Sequence, residues 1–272
     1  PPRHVETTHR EKYKVVPQYF DKHQTLLQAQ LFADHDFTDP RCVGLFQGIH
    51  ANAQAESLDD AITMLNNAYE FTPALYAISG RDQEGKCIGI WPHVNDIRPL
   101  AWEATHDTRT LTDIRQGKPS RFGLPESYMG GWEDYASMVR DTPFIINDAD
   151  KEDAALDIAL GMDWHDARLK FEDGKPIVEA RSAPIQAAPR DDAMFGVVAA
   201  ATMKANRSDR RPMQDIYLQR RWVLYSGGLL DQERHGKTYK QDFRHAVESG
   251  LAHYGIRGED NDRVMSWLER RL

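Results

Sequence analysis

Lys175-Pro-Ile-Val-Glu-Ala-Arg181 is the stretch on which the fold turns. It reads as a strand, and strand side chains alternate between two faces. Ile177, Glu179 and Arg181 then share one face, while Val178 and Ala180 share the other. A carboxylate beside a guanidinium on one pleated face suits a site that handles a metal ion and a phosphate together. Magnesium takes oxygen ligands, and the planar arginine fork matches phosphate or carboxylate oxygens. The same pair is also the pattern of a solvated ion pair, so the surrounding sequence has to decide.

Just upstream, Asp163-Trp-His-Asp-Ala-Arg-Leu-Lys-Phe171 runs into Glu172-Asp-Gly-Lys175. Asp-Gly between two strand-like runs predicts a hairpin, with Trp164, Asp166 and Arg168 on one face by alternation. Farther upstream, Val43 to Gln54 reads as another strand. Its Val43, Leu45, Ile49, Ala51 and Ala53 form an apolar side, and His50, Asn52 and Gln54 stand on the opposite, polar side. An apolar back and a His-Asn-Gln front fit a sheet with helices behind it and a ligand cleft before it.

Periodicity predicts helices over 17–34, from a Ser57 N-cap onward, near 106–116, and over 131–140, 151–160, 190–206, 212–226, 238–254 and 260–271. Pro73 is expected to end or kink the helix that follows Ser57, and Pro189 to open the one at 190–206. Between Gly80 and Ser127, the abundance of Gly, Pro, Asp and Arg predicts an extended loop region, broken by the short helix near 106–116. The order predicts an α+β fold.

Composition narrows the function. A net charge of −8 argues against a general nucleic-acid binder. Two cysteines, Cys42 and Cys87, imply no disulfide framework and favour a reducing compartment. No apolar run approaches the roughly 20 residues of a membrane span, and no signal-peptide pattern opens the chain, so a cytoplasmic protein is expected. Phosphate-loop, nucleophile-elbow and His-Glu-x-x-His signatures are missing from the sequence.

Several motifs in one order carry a further reading. Gly48-Ile-His-Ala-Asn52 is followed by Ala77-Ile-Ser-Gly80, Asn95-Asp-Ile-Arg-Pro-Leu-Ala-Trp102 and Arg121-Phe-Gly-Leu-Pro125. Gly131-Trp-Glu-Asp-Tyr135, Asp166-Ala-Arg168 and Val178-Glu-Ala-Arg181 complete the series. From about residue 13 to 230, this order resembles the carboxylate–amine ligase family of the type-2 glutamate–cysteine ligases, in the glutamine-synthetase superfamily.

The resemblance implies a curved antiparallel sheet with helices on one face and a helical C-terminal part. It implies one partial catalytic domain over 1–272, with sheet and helices in 1–206 and a helical segment in 207–272. ATP and Mg2+ would serve to phosphorylate a carboxylate, that of glutamate or a similar acid, through a γ-glutamyl phosphate. An amine such as that of cysteine would then displace phosphate. By the same resemblance Glu179 and His50 are the metal-side residues, and Arg181 and Arg98 the catalytic arginines. Arg168, Asn52 and Trp164 are the substrate- or phosphate-binding candidates, although Trp164 and Trp222 also read as packing residues. A homo-oligomer is compatible with the family; nucleic acid and membrane partners are not expected.

The chain departs from the family pattern. Gly48 stands where the first histidine of a His-x-His pair is usual, Asn52 where a glycine is usual, and Ser226 after Arg220-Arg221-Trp222. The Gly-x-Glu-x-Glu strand that carries the family's magnesium carboxylates does not occur. The chain therefore reads as the C-terminal part of a longer enzyme. The alternative is a non-catalytic relative, a pseudoenzyme or partner subunit, that binds nucleotide or amino acid.

Overall fold

The computed structural model describes residues 48–80, 96–107, 109–143, 152–186, 188–230 and 233–272. The helix expected over 17–34, the strand start at 43–47 and the 81–95 part of the expected loop region lie outside these residues. The chain divides into two compact units. One includes Arg98–Pro125 and Glu133–His165; the other includes Gly48–Ile97, Glu126–Trp132 and Asp166–Leu272. Helices and a small antiparallel sheet make this an α+β protein.

The larger unit is built on a three-stranded sheet in the order β1 (Gly48–Gln54), β5 (Lys175–Pro184), β4 (Ala167–Glu172), antiparallel throughout. Asp173 and Gly174 join β4 to β5, with φ of 51° and 74°. Two successive positive φ angles define the tight hairpin turn whose twist matches the strands, and Gly adopts the second without a Cβ penalty. Ala51, Ala53, Ala167, Leu169, Val178 and Ala180 bury the rear of the sheet. Four of these six are alanines, small enough to bring helices close.

Against that rear packs α1 (Leu58–Ser79), together with α6 (Pro189–Met203), which lies along β1. Ser57 caps α1, its hydroxyl accepting from the Asp60 N–H at 3.1 Å. Pro73 neither ends α1 nor splits it; the helix runs to Ser79. From Met64 to Ser79 every side chain of α1 is buried, against β4, β5, α6, α7 (Met213–Ser226) and α8 (Tyr239–His253). Packing on all sides holds the helical path through the one backbone hydrogen bond that proline cannot donate. α9 (Glu259–Glu269) packs on α6 and α8.

A second hairpin, β6 (Glu233–Arg234) and β7 (Lys237–Thr238), turns through His235 and Gly236 with φ of 51° and 74°. This hairpin was not anticipated. Its strands are two residues long and carry no alternating apolar pattern. The helices expected over 190–206, 212–226, 238–254 and 260–271 are present as α6 to α9.

In the other unit, Ile97–His106 is helical (α2), where an extended loop was expected. A short helix, α3 (Leu111–Arg115), falls within the predicted 106–116, closed by a reciprocal Thr110–Asp113 capping box. α4 (Trp132–Asp141) and α5 (Glu152–Gly161) match expectation. β2 (Phe122–Gly123) pairs in parallel with β3 (Trp164–His165). Tyr135 on α4 donates to the buried carboxylate of Asp163 at 2.5 Å, and Asp163 meets His165 Nδ1 at 2.6 Å.

Candidate functional site

The outer face of the β1–β5–β4 sheet gathers the polar residues that strand alternation predicts. Asn52, Glu179 and Arg168 stand in one cross-strand row, and Gln54, Ile177 and Lys170 in the next. Each row puts one side chain from each strand side by side, within reach of one bound group.

Glu179 is the centre of the face and is buried. Arg168 Nε donates to its Oε1 at 3.1 Å, and Arg181 Nε stands 3.4 Å from the same oxygen. Lys170 Nζ lies 3.4 Å from Oε2 and 2.8 Å from Glu172. His50 Nδ1 lies 3.4 Å from Oε1. Burial pushes the Glu179 carboxyl up, but Arg168, Arg181, His50 and Lys170 outweigh it and hold the group below the usual carboxylate range. Burial and the Arg181 guanidinium push His50 below 6.5, against the opposing pull of Glu179. His50 therefore faces Glu179 as a neutral ring near pH 7, and the contact is no full ion pair.

A bulge shapes the top of the face. Ile49 pairs with Ala183 and Ala51 with Ala180, so Arg181 and Ser182 together oppose His50. The extra residue interrupts strict alternation. Ser182 and Ala183 are both fully buried, while Arg181 remains part-exposed beside Glu179. The Arg181 N–H donates to Asp166 O at 2.8 Å, which ties the bulge to the start of β4.

Asp166 does not join Arg168 on this face, contrary to the alternation argument. Its carboxylate accepts from the Tyr76 hydroxyl of α1 at 2.8 Å and from Arg220 of α7. Residue 166 lies in the bend before β4, where the strand geometry has not begun.

Five of the seven expected site residues thus come together: His50, Asn52, Arg168, Glu179 and Arg181. Arg98 and Trp164 belong to the other unit. Arg98 lies in the first turn of α2 and not in a loop. Trp164 packs in an aromatic cluster, 5.5 Å from Trp102, 5.5 Å from Phe122 and 5.8 Å from His106 between ring centres. Arg121 lies 5.5 Å over the Trp164 ring. In that cluster burial, with Arg121 nearby, lowers His106 to about 3. Lys170 was missed, although its two-residue spacing from Arg168 on one strand places both on the same face.

The donor set decides what the face can hold. Magnesium requires about six oxygen ligands. Here Glu179 is already surrounded by three cations and a histidine, the exposed Glu172 is paired with Lys170 at 2.8 Å, and the other side-chain oxygens are the amides of Asn52 and Gln54. Among the described residues no three His, Cys, Asp or Glu side chains stand together as a metal group. The face does not fit a directly coordinated Mg2+. Arg168, Lys170 and Arg181 fit an anion, since arginine forks and an ammonium complement phosphate or carboxylate oxygens. Among the described residues no helix is long and apolar enough to cross a membrane. Compared with known protein families and with curated proteins, the chain finds no match in either.

Proposed function

We propose that the outer sheet face binds an anionic group, carboxylate or phosphoryl, within an ATP-dependent carboxylate–amine ligase of the glutamate–cysteine type. The sheet would be that of the glutamine-synthetase fold. The observation that carries this reading is the ring of Arg168, Lys170 and Arg181 about the buried Glu179, with His50 and Asn52 alongside. Phosphoryl transfer to a carboxylate brings two anionic groups together and needs cationic charge aimed at them more than it needs a reactive side chain. Glu179 keeps the three cations in place without substrate, so little reorganisation is required when the anion arrives. ATP supplies the phosphoryl group, and the guanidinium groups of Arg168 and Arg181 hold its oxygens.

The test is ADP release by the protein with ATP, magnesium and glutamate, with and without cysteine and a pool of other amines, product masses being read from the same tubes. A glutamyl-amide mass that appears with ADP and vanishes in Arg181→Ala establishes the ligase and identifies its amine. A second reading is a non-catalytic relative that binds nucleotide or amino acid. The cationic surroundings of Glu179, unsuited to a metal ion, favour it. Saturable nucleotide binding with no ADP in any mixture would select it.

A further inference from the structure

On the helical side of the same unit lies a cavity of about 340 Å³ that shares no residue with the sheet-face cluster. It is walled by Arg207, Asp209 and Arg211 from the α6–α7 connection, Arg234 and Lys237 from the β6–β7 hairpin, and Asp242 of α8. Four cations line it with two carboxylates, and buried Glu70 behind Arg207 is a third, which still leaves a local excess of positive charge in a protein of net charge −8. His235 stands at the same wall, set there by its left-handed backbone at the hairpin tip.

The inner cations are fixed in advance. Arg207 donates to the fully buried Glu70 at 2.9 Å and lies 5.2 Å over the Phe71 ring. Arg211 donates to Asp242 at 2.9 Å and to Lys237 O at 3.1 Å, and lies 5.5 Å over the Tyr239 ring. Each guanidinium is held between a carboxylate and an aromatic face, with little rotamer freedom left to lose on binding. At the rim Arg234 is anchored by Arg210 O and by Asp209, while the Lys237 ammonium is exposed and pairs with no carboxylate among the described residues. Arg207 Nε also has no hydrogen-bond partner there.

Size and charge select the ligand. The volume is that of a small-molecule site, well beyond a single ion. A phosphate monoester carries about −1.5 to −2 at neutral pH and offers three strong acceptor oxygens, enough to engage Arg234, Lys237 and Arg207 together. A lone carboxylate has one charge and two oxygens, and would leave one of those donors unmatched. We propose that this cavity is a second ligand site, one that takes a small molecule through its phosphate monoester.

Glycerol 3-phosphate is the probe, titrated by calorimetry, with glycerol and citrate in parallel. Saturable binding of the phosphate ester, weakened about tenfold or more in Arg234→Ala/Lys237→Ala and retained in Arg181→Ala, is the expected result. Lys237→Ala alone removes an exposed, unpaired ammonium; it keeps the test decisive if the double variant misfolds, and should weaken binding severalfold. Four outcomes would overturn the proposal. These are no saturation at millimolar ester, unchanged affinity in the folded variants, loss in Arg181→Ala instead, or tighter binding of citrate.

Discussion

Asp166, in the bend before β4, and Arg220, on α7, meet as a buried two-pronged pair: Arg220 Nε donates to Oδ2 at 2.5 Å and a terminal nitrogen to Oδ1 at 3.2 Å. Tyr76 of α1 donates to the same carboxylate, so three elements converge on one side chain. Removing either partner leaves the other charge buried without this counter-charge. Asp166→Ala should lower stability by about 3–5 kcal/mol, read from urea unfolding midpoints. Asp166→Leu/Arg220→Met should lose less than Asp166→Ala; an equal or greater loss would show that the charges themselves, and not the vacancy, matter.

The sheet face makes a prediction about pH. His50 has a folded-state pKa lowered from 6.5, so the fold favours the neutral ring. Stability from that preference is fully present above 6.5 and is lost as pH falls toward the folded value. The His50 ring proton, followed by NMR, should titrate below 6.5. In Arg181→Ala the midpoint should rise, because one of the cations that opposes protonation is gone. A midpoint that falls or stays put would break the link between the two residues.

Glu70 behaves in the opposite sense. Buried at the head of the Arg207–Arg211 cluster, it has a carboxyl pushed up by burial, a shift that the Arg207 charge and the Arg211 N–H only partly offset. A raised acid favours the fold at low pH, and that contribution is lost as pH rises from 4.5 through the folded pKa. Glu70→Gln has no proton to release there. Its stability should vary less with pH across that window than the parent protein's, as chemical unfolding at a series of pH values would show.

Two glycines in the packed helices should respond with opposite signs. A Cβ on Gly250 of α8 would stand 1.8 Å from the Ala201 carbonyl oxygen of α6, backbone that cannot step aside cheaply. Gly250→Ala should destabilise by about 1–3 kcal/mol or more. On α6, Gly196 has nothing within 4 Å of the same added atom. Gly196→Ala should stabilise by roughly 0.5–1 kcal/mol, since alanine restricts the unfolded chain and favours the helix. Thermal melts of the two variants would check both signs.

Local chemistry made much of this architecture readable. Asp173-Gly174 announces its hairpin because two-residue turns demand positive φ at both positions, and that requirement is written in the residues. Ser57 marks its helix in the same local way, and strict alternation along β1 and β4 places His50, Asn52 and Arg168 together. The failures are tertiary. Pro73 reads as a breaker until the packing around α1 is known. The bulge opposite His50 leaves no mark in the alternation of Val178 to Arg181 and shows only in the pairing. Asp166 lies one residue before its strand, so a face argument sent its side chain to the wrong layer. Arg207 meets Glu70 and Arg211 meets Asp242 across long stretches of chain, and no spacing rule predicts those meetings.

The place of β5 in the sheet has a temporal consequence. Asn52 sits opposite Glu179, and Glu179 sits opposite Arg168. Among the described residues, β1 has no strand partner other than β5. The β4–β5 hairpin can close as soon as its turn is made, whereas β1 must close a loop that spans most of the intervening sequence, the slow kind of contact. During synthesis, residues 48–54 therefore wait as an unpaired strand until β5 has left the ribosome. His50 and Glu179 come face to face only at that step, and a nascent chain stopped before Lys175 contains His50 and Arg168 but neither Glu179 nor Arg181.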